Sequence, residues 1–259
     1  MLELIRANQI NTATQLVVNS NTASAANVYL SDVRYQASSS GMADDSQWYT
    51  MRVNFGATTL VDRIAIREHN AREFRMYYNG ATASIFSLTD ANTATLDFLN
   101  NTDVNQYFRI PPTYVTSLTL EMRATMTADQ NKAIGYLYAG DALTDFDGYV
   151  PPAEGYDPVL KDISVVHIMS DGGKRIHSIA DRWSASLRFT HLPQQVRDEL
   201  KEIFDNHSDM VFSAFGTATG WDGHLFPCVW EGPFGFYRYS DNAATSGYSG
   251  TLELAETSF

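Results

Sequence analysis

Trp48-Tyr49-Thr50-Met51-Arg52-Val53-Asn54-Phe55 alternates, Gly56-Ala57-Thr58-Thr59 interrupts the pattern, and Val61-Asp62-Arg63-Ile64-Ala65-Ile66-Arg67-Glu68 resumes it. A period of two marks a strand with one buried face, because successive side chains of extended backbone point to opposite sides. The stretch therefore predicts two strands joined by a turn. Working outward, the same pattern recurs in Glu73-Phe74-Arg75-Met76-Tyr77-Tyr78 before Asn79-Gly80 and in Gln106-Tyr107-Phe108-Arg109-Ile110 before Pro111-Pro112. It returns in Ser117-Leu118-Thr119-Leu120-Glu121-Met122 and in Ala133-Ile134-Gly135-Tyr136-Leu137-Tyr138. Six or more short strands at this spacing predict a sandwich or barrel.

Residues 141–157 collect Asp141, Asp145, Asp147, Glu154 and Asp157 around Pro151-Pro152, Gly148 and Gly155, and the domain boundary is placed there. Beyond it, Ile163–Ile168 and Trp183–Phe189 read as strands. Then the period changes. From Pro193 onward Val196, Leu200, Ile203 and Phe204 fall on one helical face, with the proline at the start where its missing N–H costs nothing. Strands resume at Met210–Phe215, Leu225–Trp230, Gly235–Tyr239 and Gly250–Leu254. The expected division is 1–140, a 141–157 linker, and a β domain with one helix over 158–259.

With 259 residues the chain can bury two cores. The 18 Lys and Arg against 30 Asp and Glu give a net charge of −12, spread as −5 over residues 1–150 and −7 over 151–259. Nucleic-acid grip comes from Lys and Arg releasing counterions, so a chain acidic in both halves, with no basic patch visible in its sequence, is expected to grip nucleic acid poorly. The lone Cys228 forms no intrachain disulfide. The N-terminus lacks the apolar core of a secretion signal, and no uncharged apolar run has the length of a membrane span.

The catalytic classes return little: no G-x-S-x-G, no P-loop and no H-E-x-x-H is present. The expectation is a protein that is not an enzyme and carries no cofactor. Asp171-Gly172-Gly173-Lys174 reads as a hairpin turn, with His167 and His177 flanking it as a thin metal-ligand alternative. Asp222, His224 and Cys228 offer acid–base groups without an orienting third member, and a core role for the cysteine is the plainer reading. Asp44 and Asp45 could donate oxygens to Ca²⁺, against the alternative of a solvated loop. Arg34, Tyr35, His69 and Arg72 combine stacking and hydrogen-bonding groups in loop-like stretches and are the candidate ligand residues. Phe234, Phe236, Tyr237 and Tyr239 are the candidate assembly interface.

Four stretches in order carry a resemblance: Asn27-Val28-Tyr29-Leu30 leading to Arg34–Ser38, Gln47–Gly56, Val61–Ile66, and the pair Ser117–Leu120 with Ala133–Tyr138. Here the chain resembles the discoidin-like, galactose-binding-type jelly roll, which implies an N-terminal jelly-roll β-sandwich and recognition of a sugar, such as a host-surface glycan. A second likeness covers the whole chain. Ile134–Leu143 closing the first half, Asp181–Phe189, the helix from Pro193, Met210–Phe212, Leu225–Trp230 and Gly250–Glu256 together look like a class of bacteriophage tail structural proteins. That resemblance implies a virion component at the tail tip or baseplate, assembled in the host cytoplasm. It would form a ring with copies of itself, meet neighbouring tail proteins and let DNA pass without specific binding. The expected fold class is thus mainly β: a jelly-roll sandwich followed by a β-sandwich or barrel domain with one packed α-helix.

Overall fold

A computed structural model describes residues 2–30, 35–80, 97–146, 156–169, 174–206, 209–214, 224–238 and 247–257. The chain is mainly β and divides into two compact units, Ala7–Ala142 and a discontinuous one made of Met1–Arg6 with Leu143–Phe259. Its strands are β1 (Leu2–Arg6), β2 (Leu16–Val18), β3 (Ala37–Ser38), β4 (Tyr49–Arg67), β5 (Phe74–Tyr78), β6 (Asp97–Phe98), β7 (Gln106–Met122) and β8 (Ala133–Ile134). They continue with β9 (Tyr136–Gly140), β10 (Ala142–Asp145), β11 (Tyr156–Ile168), β12 (Lys174–Leu192), β13 (Met210–Ala214), β14 (His224–Glu231), β15 (Phe236–Arg238) and β16 (Tyr248–Glu256). The helices are α1 (Thr22–Ala25) and α2 (Gln194–Asn206). No helix among the described residues is long and apolar enough to cross a membrane.

The inserted unit, Ala7–Ala142, is a jelly-roll sandwich whose main sheet runs β2-β4-β7-β5-β6, with β9 also on β4 and β3 paired with β8. The stretch from Trp48 to Glu68, expected to be a hairpin, is not one. Both its halves pair with β7, Tyr49–Asn54 against Met122–Ser117 and Arg63–Ile66 against Arg109–Gln106, so Gly56-Ala57-Thr58 lies in a bulge within one long strand and pairing resumes at Thr59 opposite Val115. A bulge bends a strand and can change which parity faces the core. Met51 and Val53 face the core before it, whereas Ile64 and Ile66 do so after the second register shift between Val61 and Arg63. Gly56, at φ +74, supplies backbone geometry that other residues rarely adopt. The bend lets β2 cover the first half of β4 and β9 the second, over a core that includes Tyr49, Met51, Phe74, Met76, Phe108, Leu120 and Leu137.

The discontinuous unit has a sheet ordered β10-β1-β13-β14-β16-β12-β11, with β15 pairing on β16. Val196, Leu200 and Ile203 of α2 are buried among Leu187, Phe189, Phe212 and Leu254, as the helical spacing predicted. Two expected limits are corrected. Leu2–Arg6, assigned to the first domain, pairs with Met210–Ala214 and belongs to the second unit. Its Leu2, Glu3, Leu4 and Ile5 are all buried, so both faces of this strand are covered. Part of the expected 141–157 linker is strand: β10 lies beside β1, and β11 begins at Tyr156, while 147–155 fall outside the described residues. The Ala7–Ala142 unit is therefore inserted between two strands that are neighbours in the other unit's sheet.

Candidate functional site

On the main sheet of the inserted unit, register places Arg75 opposite Glu121 and Tyr77 opposite Thr119, with Thr50 and Arg52 across from the same two β7 residues. Their alternate neighbours Met51, Leu118, Leu120, Phe74 and Met76 face the core, so this set occupies the other face. Arg75 Nε donates to Glu121 Oε2 at 2.6 Å, and Tyr77 Oη donates to Glu121 Oε1 at 3.0 Å. Arg123 Nε donates to Glu73 Oε2 at 2.6 Å. Between them stands Trp48, half-buried, with the Arg75 and Arg123 guanidinium carbons 4.7 and 5.1 Å from its ring centroid. Two guanidinium–carboxylate pairs thus hold one indole by cation–π attraction while their charges cancel. Burial, reinforced by the Glu121 hydrogen bond and charge, pushes the Tyr77 phenol up, so it stays a neutral donor. None of Trp48, Glu73, Arg75, Tyr77, Glu121 and Arg123 stands among the residues expected from the sequence to bind a ligand, although the alternation Glu73-x-Arg75-x-Tyr77 on one strand is an available signal.

The loop residues expected to bind ligand meet different environments in the fold. Arg34 lies outside the described residues. Tyr35 is exposed, and Gln36 Nε2 donates to the Glu68 carbonyl at 3.3 Å, so the two loop stretches do meet. His69 is a correction: its imidazole is buried edge-on to Phe74, with ring centroids 5.3 Å apart. Nδ1 accepts the Ala71 N–H at 3.3 Å, whereas Nε2 has no partner among the described residues. Arg72 keeps a half-open side chain paired with Asp45 at 3.5 Å.

The calcium reading of Asp44 and Asp45 is also corrected. Asp45 Oδ1 accepts from Thr125 N, Thr125 Oγ1 and Asp129 N at 3.1, 3.0 and 3.3 Å, which ties down the 125–129 turn. Burial pushes the Asp45 carboxyl up, but these bonds and Arg72 together hold it below the usual range. Asp44 Oδ1 accepts the Ser46 N–H at 2.7 Å, the leading cause of its own lowered pKa. The positive charge beside them is the chain's own: Lys132, wholly buried, sends Nζ to the carbonyls of Met42 and Asp44 at 2.7 Å each. No cluster of three or more His, Cys, Asp or Glu able to hold a metal exists among the described residues.

In the discontinuous unit, Phe236 is buried, with ring centroids 5.0 Å from Phe234 and 5.7 Å from Phe189. Phe234 packs on Phe204 and Trp230, and the Arg197 guanidinium lies 5.2 Å from its centroid. Both serve the internal packing of α2 rather than an assembly surface. Tyr237 is exposed, and Tyr239 lies outside the described residues. Cys228 is fully buried and its thiol is pushed well up by that burial, so it is no nucleophile. Asp222 and the His224 side chain lie outside the described residues. β11 and β12 form the expected hairpin, with His167 opposite Arg175 and His177 opposite Val165.

No protein-family profile matches the sequence, and no curated protein matches it. Among solved structures, chitosan-binding module 1 of a chitosanase/glucanase from Paenibacillus sp. IK-5 is similar over 51% of this chain and 97% of its own, at 12% identity and TM-score 0.40. Module 2 of that enzyme, in complex with chitotriose, matches over 48% and 94% at 11% identity and TM-score 0.38. CpGH89CBM32-6 of Clostridium perfringens matches over 52% and 98% at 11% identity and TM-score 0.37.

Proposed function

We propose that the inserted unit is a non-catalytic glycan-recognition module that binds a neutral sugar at the Trp48 face. The carrying observation is the convergence of Trp48 with the pairs Arg75–Glu121 and Arg123–Glu73 on one half-open sheet face. A pyranose offers an apolar C–H face and a rim of hydroxyls, and this arrangement offers an aromatic body with rigid donors and acceptors around it. The cancelled charges suit an uncharged ligand, because no unbalanced ion has to be desolvated. A glycan array on the full chain, followed by titration calorimetry, is the test. Trp48→Ala is expected to lower affinity about tenfold to a hundredfold, in the range for loss of a central aromatic anchor. Unchanged affinity in Trp48→Ala with loss in Tyr35→Ala would move the site to the loops and overturn this assignment.

A second reading, a ring-forming subunit of a phage tail held in the virion, is favoured by the β11–β12 hairpin. β16 covers β12 only over Ser184–Leu192, whereas β11 follows β12 out to Lys174. Among the described residues, the outer part is a ribbon of two strands with no third strand on either edge. Such a ribbon is marginal alone, and open edges invite further strands. Pro158, Lys161 and Asp162 occur in the first half of β11 in sequence, whereas Ile163-Ser164-Val165-Val166-His167-Ile168 carries neither proline nor acid. Side-by-side ribbons satisfy both edges of every copy when the copies close into a ring. In sedimentation velocity, Ile168→Asp, at a position 74% exposed, is expected to weaken self-association at least tenfold. A native chain that stays monomeric at about 100 μM would exclude the ring, since that bounds Kd above the range of a specific assembly.

A further inference from the structure

Asp44 and Asp45 mark a loop that suits a cation, and the cation found there is a side chain. We infer that the loop carrying Met42, Asp44 and Asp45 is a cation seat that the chain fills with the Lys132 ammonium, so this unit needs no metal at a position built for one. Lys132 sits fully buried, yet its Nζ has two carbonyl oxygens at 2.7 Å, the hard-oxygen environment that a Ca²⁺ ion takes. Burial lowers the pKa of the Lys132 ammonium, and the charges of Asp45, Asp44 and Asp129 oppose that by favouring its charged form. Its backbone is clamped as well: Lys132 N donates to Ser39 Oγ at 2.9 Å, and Ser39 N donates to the Lys132 carbonyl at 2.8 Å. The Asp44 and Asp45 carboxylates are themselves held by Ser46, Thr125 and Asp129, which ties the loop down around the lysine. An ammonium supplies at most three donors and one charge, so it matches two carbonyls without demanding the six to eight ligands of calcium.

Thermal unfolding of the full chain with and without millimolar CaCl₂ tests the inference. The native protein is expected to melt at the same temperature in Ca²⁺ and in EDTA. Lys132→Ala, which vacates the seat, is expected to melt about 10 °C lower, the scale for stranding buried polar partners in a unit of this size. Ca²⁺ is expected to restore part of that loss, with a dissociation constant of about 10⁻⁴ to 10⁻³ M. Lys132→Met, which keeps the stem in place, should lose stability without recovering it in Ca²⁺. If Lys132→Ala does not fold in EDTA, recovery of its circular dichroism on adding Ca²⁺ is the readout. Indifference of Lys132→Ala to Ca²⁺, or a Ca²⁺ response of the native chain, overturns the inference.

Discussion

Lowering the pH from 7 to 4 is expected to cost the inserted unit about 3 kcal/mol through His69 alone. Burial depresses this imidazole from 6.5 to about 4 in the fold, and every tenfold loss of proton affinity is worth about 1.4 kcal/mol. Between pH 4 and 6.5 the unfolded chain binds a proton that the folded chain refuses, so stability rises with pH across the window. The contribution is complete above about pH 6.5, is lost progressively on acidification, and loses nothing further below about 4. Asp44 and Asp45 act differently, because their folded pKa values lie below 3.8 and their contribution fades only in stronger acid. Urea unfolding at a series of pH values separates the two effects. His69→Gln should flatten the limb between pH 4 and 6.5 and leave the one below it. A limb of the same slope in the variant would show that His69 is not its source.

Gly250→Ala is expected to destabilise the discontinuous unit by about 3 kcal/mol or more, the upper range for overpacking against groups that cannot yield. A Cβ at Gly250 would stand 2.5 Å from the Gly235 carbonyl oxygen and 2.7 Å from the Phe236 ring. The reason lies in register. Gly250 is flanked by Phe189 of β12 on one side and Phe236 of β15 on the other, and the two rings meet at 5.7 Å. A side chain there would part the rings and unpair β15. Gly232→Ala serves as the comparison within the same unit, because a Cβ there would meet only the Glu253 carboxylate at 4.0 Å although its φ of +80 adds backbone strain. A denaturation midpoint of this unit for Gly250→Ala no lower than that for Gly232→Ala would contradict the packing argument.

Much of the architecture could be read along the chain, for a physical reason. The helix was legible because Val196, Leu200 and Ile203 lie within three turns, and the strands because alternation is a property of adjacent residues. The turn expected at Gly56–Thr59 failed on the same ground. Glycine and threonine punctuate a bulge as readily as a turn, and only the pairing of both flanks with β7 tells the two apart. The membership of Leu2–Arg6 was illegible because its partner, Met210–Ala214, is at the other end of the sequence.

The candidate sites divide in the same way. The alternation that places Trp48 and Tyr77 on strands is legible along the chain. That Arg75 and Arg123 converge on one indole depends on three strands meeting. Asp44 and Asp45 read as a cation loop, and a cation is there, but it comes from Lys132, 88 residues further along the chain from Asp44. By itself, then, the sequence determined the β class, the single packed helix and an acidity unsuited to gripping DNA, because periodicity and net charge are sums over neighbours and over the whole chain. Tertiary structure alone decided that the Ala7–Ala142 unit interrupts the chain between two strands of the other unit, that His69 is buried rather than displayed, and that a lysine fills the cation seat. Each of these turns on contacts between distant residues, which local pattern does not encode.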